Sequence, residues 1–79
     1  MTINPVLLST RKKIDEQYMQ FSGVFGEIIV EDEFAKWLEN SKGKMSKFNR
    51  YITALAQTLD SHDQQKQFTK LANKALISA

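Results

Sequence analysis

The chain has 79 residues, of which 42% are hydrophobic and 25% charged, and its net charge is +2. We expect a single domain over residues 1–79, since this length leaves no room for a second. The absence of cysteine excludes disulfides and thiolate metal sites. One tryptophan, two tyrosines and five phenylalanines are many for so small a core, which indicates a folded rather than a disordered chain.

The small net charge combines two halves of opposite sign. Residues 1–41 carry four basic and seven acidic side chains, a net charge of −3, whereas residues 42–79 carry seven basic and two acidic side chains, a net charge of +5. Such halves attract each other within one chain or between two chains, and the basic half is also suited to a polyanion. No apolar run approaches the roughly 20 residues of a membrane span. Since the N-terminus also lacks a signal-peptide pattern, we expect a cytoplasmic protein.

The first predicted helix opens at Asn4-Pro5, with Asn4 as the N-cap and Pro5 at the first helical position. Six large apolar side chains fall on one face of it, and the last five follow at the alternating spacing of a coiled-coil seam. This apolar seam consists of Leu7, Ile14, Tyr18, Phe21, Phe25 and Ile28. Gly23 and Gly26 interrupt it, each at a cost of about 1 kcal/mol inside a helix. The helix therefore ends near residues 21–23, bends there, or continues to residue 29.

Residues 24–30 also fit a short strand, because Ile28, Ile29 and Val30 have β-branched side chains that favour extended backbone. A lone strand has no partner in this chain and would have to pair across a dimer. Helix and strand both stay open for this segment, and the helix is the favoured interpretation.

The second predicted helix begins at the three consecutive acids of residues 31–33, whose charges favour a helix N-terminus. It carries Phe34, Trp37 and Leu38 inward and ends at Gly43. Ser46 is predicted to cap a third helix. The apolar residues of that helix are Phe48, Tyr51, Ile52, Leu55 and Leu59.

The fourth predicted helix opens with a capping box formed by Ser61 and Gln64. Its apolar face holds Phe68, Leu71, Ala75 and Leu76. Taken together, these elements predict an all-α fold, a compact bundle of three to four short helices.

No combination of residues indicates a catalytic, cofactor or metal site. His62 is the single histidine, and general-base catalysis needs a pocket and an orienting partner that the sequence does not supply. The acids of residues 31–33 lack the loop spacing and glycine of an EF-hand. Gly23 and Gly26 are not followed by the lysine of a phosphate-binding loop. We therefore expect a non-enzymatic protein without a cofactor, a metal or a small-molecule substrate.

The basic half contains a candidate nucleic-acid surface. Three lysines recur at every fourth position along the fourth helix, and four further bases surround the start of the third, so the two groups together could track phosphates. They are Lys66, Lys70 and Lys74, and Lys42, Lys44, Lys47 and Arg50. A single arginine lies in this half, although bidentate phosphate and base contacts favour arginine. A small DNA- or RNA-binding regulator is therefore the alternative hypothesis.

Residues 34–59 contain an F-x-x-W-L helix, a glycine-containing turn, a serine and a Y-x-x-x-L helix. The matching positions are Phe34, Trp37, Leu38, Gly43, Ser46, Tyr51 and Leu55. In this order the segment resembles the helical core-binding domain of phage-integrase-type recombinases. The interval from Ser46 to Tyr51 is shorter than in that family, and the usual threonine and the catalytic domain are missing. The resemblance therefore does not identify the chain.

The leading hypothesis is a protein-interaction surface on the N-terminal segment. Beside the apolar seam, further apolar residues lie off its face or add adaptable surface. They are Val6, Val24, Ile29 and Val30, and Met1, Met19 and Met45. A helix that is apolar on several sides is buried on several sides. Either these residues complete the core of the monomer, or another molecule supplies the covering layer.

We therefore expect a regulator, adaptor or inhibitor of a larger protein partner, one that also forms a homodimer. Its size suits an accessory protein of a phage or mobile element. The predicted interface residues are Tyr18, Phe21, Phe25, Ile28 and Trp37.

Overall fold

The computed structural model describes residues 5–77, which form four α-helices and one short 3₁₀ turn. The elements are α1 (Pro5–Ser22), α2 (Gly26–Ser41), the 3₁₀ turn (Met45–Lys47), α3 (Phe48–Gln57) and α4 (His62–Ile77). The prediction of an all-α compact bundle is confirmed. The predicted cap Asn4 and the residue Met1 lie outside the described residues. Within residues 5–77, no helix has the combination of length and apolar character that crossing a lipid bilayer requires.

The four helices are arranged in a cycle around one core. α1 packs against α2 and α4, and α3 packs against the same two helices from the other side. Half of the ten residues of α3 are buried. The buried hydrophobic side chains are Leu7, Ile14, Tyr18, Val30, Phe34, Trp37, Phe48, Tyr51, Ile52, Leu55, Ala56, Leu59, Phe68 and Ala72. In this cycle α2 and α4 lie diagonally opposite each other.

An aromatic cluster joins α2 to α3. The ring of Trp37 meets Phe48 edge-on at 5.1 Å and stacks on Phe34 at 5.7 Å. Tyr51 stacks on Phe48 at 5.1 Å. The indole N–H of Trp37 donates to the carbonyl of Lys47 at 2.8 Å, so the polar end of this buried side chain has a partner. Aromatic pairs of this kind contribute about 0.5–1.5 kcal/mol beyond the area that they bury.

The apolar seam predicted for one helix is divided between two helices. Gly23 adopts a left-handed backbone with φ of +76°, which glycine tolerates without a steric penalty. Its N–H donates to the carbonyl of Met19, a bond that closes the end of α1. α2 begins at Gly26, before the acids at residues 31–33 that were predicted to start it. The strand alternative for residues 24–30 is wrong, since this segment forms a turn and the first residues of α2.

The later helix ends follow the predictions in part. α2 ends at Ser41, and Gly43 follows in left-handed conformation. Ser46 does not cap α3, because it lies inside the 3₁₀ turn that precedes that helix. Ser61 does cap α4, since its hydroxyl accepts the N–H of Gln64 at 3.4 Å. Leu71 was predicted to face inward but is exposed, and Ala72 lies in the core instead.

Candidate interaction surfaces

Three large apolar side chains are exposed close to one another in the chain, where α1 turns into α2. Val24, Phe25 and Ile28 are 85%, 73% and 70% exposed, and we call these three residues the apolar tip. Val24 and Phe25 form the turn after Gly23, and Ile28 lies three residues beyond Phe25, which places both side chains on one side of the helix start. Exposed apolar patches of this kind mark contact sites more often than single exposed residues do.

The outer face of α2 is acidic beyond the apolar tip. Ile28, Asp32, Ala35 and Glu39 follow one another at helical spacing and are all exposed. Lys36 lies beside this face and forms ion pairs with Asp32 at 3.0 Å and with Glu33 at 3.7 Å. The hydrogen bond to Asp32 raises the pKa of Lys36.

Glu27 and Glu31 lie within three residues of Ile28, and both are exposed. Glu31 is paired with Arg11 across the α1–α2 contact, at 2.9 Å. Glu27 forms no ion pair within residues 5–77. Glu27 therefore places a negative charge without an ion-pair partner beside the apolar tip.

A groove of about 540 Å³ runs between α3 and α4. We call it the α3–α4 groove, and its lining residues are Thr53, Ala56, Gln57, His62, Gln65, Lys66, Thr69, Lys70 and Asn73. Ala56 lies at its base with 7% of its surface exposed, while Lys66 and Lys70 lie at the exposed rim. No acidic residue is among the lining residues, so this groove is basic.

The structure does not bring the seven predicted nucleic-acid residues to one surface. Lys66 and Lys70 line the α3–α4 groove, whereas Arg50 lines a separate groove of about 500 Å³ between α2 and α3. α3 therefore separates Arg50 from the lysines of α4. Lys42, Lys44 and Lys47 lie in the connection between α2 and α3, and Lys74 is exposed near the end of α4.

The five predicted interface residues lie in different environments. Tyr18 and Trp37 belong to the core, at 0% and 5% exposure. The Tyr18 hydroxyl forms a hydrogen bond with the Thr58 hydroxyl, so the polar end of this side chain already has a partner in the same chain. Phe21 is partly buried, with its ring 6.4 Å from that of Phe68. Phe25 and the remaining predicted residue, Ile28, are exposed.

A polar network between α1, α2 and α3 has no counterpart in the sequence-based predictions. The Tyr51 hydroxyl donates to Asp15 at 2.5 Å, and Arg11 lies 3.0 Å from the second oxygen of the same carboxylate. Arg11 also binds Glu31 and lies 3.9 Å from the ring centroid of Phe34. Arg11 and Glu31 are 20 positions apart in the sequence, and Asp15 and Tyr51 are 36 positions apart, so no local pattern links them. The network joins three helices at one point.

Burial and hydrogen bonds together shift the pKa values of this network. It raises the pKa of the Asp15 carboxyl, although the Tyr51 hydroxyl and the Arg11 charge act in the opposite direction. Burial also raises the pKa of Tyr51, reinforced by its bond to Asp15, so this hydroxyl is a donor at every physiological pH. For Arg11, burial lowers the pKa, but the contacts with Tyr51 and Asp15 outweigh it and the net pKa is raised. The arrangement stabilises the helix contacts. Within residues 5–77 no group of acids and histidines is placed to hold a metal ion.

The profile of one protein family, described as Domain of unknown function (DUF8082), matches residues 9–79. The chain belongs to this family. The DUF8082 match takes in α2, α3 and α4 whole and α1 from residue 9 onward, so the apolar tip and the α3–α4 groove both lie in the family's domain. No curated protein and no solved structure shows significant similarity to the chain.

Proposed function

We propose that this chain is a small non-enzymatic protein-interaction module, which acts as a regulator, adaptor or inhibitor of a larger protein and binds it through the apolar tip. The observation that carries the proposal is the exposure of Val24, Phe25 and Ile28 next to one another at the start of α2. A contact surface would cover these three side chains.

Folding alone does not explain the apolar tip. The core between the four helices is formed by other side chains, and neither Phe25 nor Ile28 belongs to it. Burying one large apolar side chain contributes about 1.5–3 kcal/mol, and that contribution is unused at all three positions of the apolar tip in the isolated chain. Protein interfaces concentrate their binding energy in a few such residues, among which aromatic side chains are prominent.

Nucleic-acid binding through the basic half is the alternative proposal. It is supported by exposed bases on both sides of α3, of which Arg50, Lys66 and Lys70 form no ion pair within residues 5–77. It is weakened by their separation, since one bound strand would have to contact both grooves.

Affinity capture tests the proposal. The tagged chain is used as bait in an extract of the cells that express it, with and without nuclease, and is compared with Phe25→Asp. A charge at position 25 opposes burial of the apolar tip, so we expect partner capture to fall at least tenfold, while nuclease treatment has no effect. Ile77→Asp is the matched control, because Ile77 is 84% exposed but lies at the far end of α4.

Two results would contradict the proposal. Equal capture by wild type, Phe25→Asp and Ile77→Asp would show that the apolar tip is not the contact surface. Capture that nuclease abolishes, and that Lys66→Gln with Lys70→Gln weakens, would favour the nucleic-acid alternative. Circular dichroism of each variant establishes that the helices are intact.

A further inference from the structure

The apolar tip and the α3–α4 groove carry opposite charge. Glu27, which forms no ion pair within residues 5–77, borders the tip, while Lys66 and Lys70 form the rim of a groove without acidic lining residues. We infer that the α3–α4 groove is a docking site for the apolar tip of a second copy of this chain, an inference that rests on the proposed function of the tip as a contact surface.

The groove has the dimensions and chemistry for this occupant. Its volume of about 540 Å³ lies within the range of about 300–1,000 Å³ that is usual for binding pockets. Ala56 supplies an apolar base, and lysines at a groove rim, such as Lys66 and Lys70, add the apolar surface of their methylene stems. Neither ammonium group forms an ion pair within residues 5–77, so both are available to the Glu27 carboxylate beside an incoming apolar tip.

Within one chain the tip does not occupy the groove. α2 and α4 are diagonal in the bundle, each packed against α1 and α3, and none of the three tip residues is among the residues that line the α3–α4 groove. A second copy can therefore supply the tip that the groove would bind. The resulting contact is heterologous, because the surface used on one copy differs from the surface used on the next.

A heterologous contact can be tested by mixing two variants, one of which lacks the tip and the other the groove. Phe25→Asp removes the tip but keeps the groove, and Lys66→Glu with Lys70→Glu reverses the groove but keeps the tip. We expect wild type to sediment above the 9.1 kDa monomer mass at micromolar concentration, and each variant alone to sediment as a monomer. An equimolar mixture of the two variants should form a 1:1 species of twice that mass, since it contains one intact tip and one intact groove.

Other outcomes overturn the inference in identifiable ways. Continued self-association of the groove variant by itself would mean that tips pair with tips. A wild-type monomer at every concentration up to about 1 mM would exclude a second copy as the occupant. The proposed function would survive that result, since it depends on partner capture by the tip. Lys66→Gln with Lys70→Gln replaces the groove variant if the charge reversal unfolds it, and circular dichroism decides which of the two is used.

Discussion

Tyr51 and Tyr18 are both buried, and their hydroxyl groups form hydrogen bonds with different kinds of partner. Tyr51 donates to the carboxylate of Asp15, whose side chain is only 14% exposed, whereas Tyr18 bonds to the hydroxyl of Thr58. The Thr58 hydroxyl keeps a second bond to the carbonyl of Leu55, at 2.6 Å. Removing the Tyr51 hydroxyl therefore leaves a charged acceptor with one partner fewer, while removing that of Tyr18 leaves a satisfied hydroxyl.

We expect Tyr51→Phe to lower the free energy of unfolding by about 1–3 kcal/mol, the cost of withdrawing a hydrogen bond from a buried charged group. Tyr18→Phe is the matched control and should cost about 1 kcal/mol or less. Urea denaturation at neutral pH, followed by circular dichroism, measures both. Equal effects of the two substitutions would show that Arg11 alone satisfies Asp15.

The turn between α1 and α2 is the element that creates the apolar tip. Gly23 has a positive φ and open space around the position where a Cβ would lie, so conformational strain is the single expected penalty of a side chain there. Gly23→Ala should lower the free energy of unfolding by about 1–2 kcal/mol. Lys42 supplies a control of opposite sign, since it is a non-glycine residue at φ of +56° after α2. Lys42→Gly should leave stability unchanged or raise it by up to about 1 kcal/mol. A stabilising effect of Gly23→Ala in thermal unfolding would contradict this description of the turn.

The sequence predicted helices where their signals are local. The Ser61 cap of α4 depends on residues within one turn, and that prediction is confirmed. The start of α3 was misjudged because a 3₁₀ turn precedes it, and the last residue of that turn, Lys47, accepts a hydrogen bond from Trp37, a tertiary contact that no local pattern gives. The apolar seam was misjudged because its spacing continues through Gly23, although the backbone there reverses hand.

The same reasoning explains which site residues could be predicted. Phe25 and Ile28 were identified as interface residues because they continue the spacing of α1, whereas the structure exposes them because they begin α2. The spacing of Lys66 and Lys70 placed both lysines on one side of α4. The α3–α4 groove itself also requires the position of α3, which no local pattern gives.

At the scale of the whole molecule, the two oppositely charged parts of the sequence are two sides of the bundle. The half of the chain with net negative charge, residues 1–41, ends with α2 at Ser41. The half with net positive charge, residues 42–79, includes α3 and α4. The α1–α2 side therefore carries the negative charge and the apolar tip, and the α3–α4 side carries the positive charge and the basic groove. This polarity favours contacts between unlike sides of separate molecules over contacts between like sides.

Site-specific photocrosslinking in living cells tests most directly whether the apolar tip is a protein-contact surface. A photoreactive phenylalanine analogue replaces Phe25, which is 73% exposed, in one strain and Ile77 of α4, which is 84% exposed, in another. After irradiation, we expect a covalent protein adduct from position 25 and little or none from position 77, with an adduct of twice the 9.1 kDa chain mass where the partner is a second copy. No adduct from position 25, or equal adducts from both positions, would contradict the account.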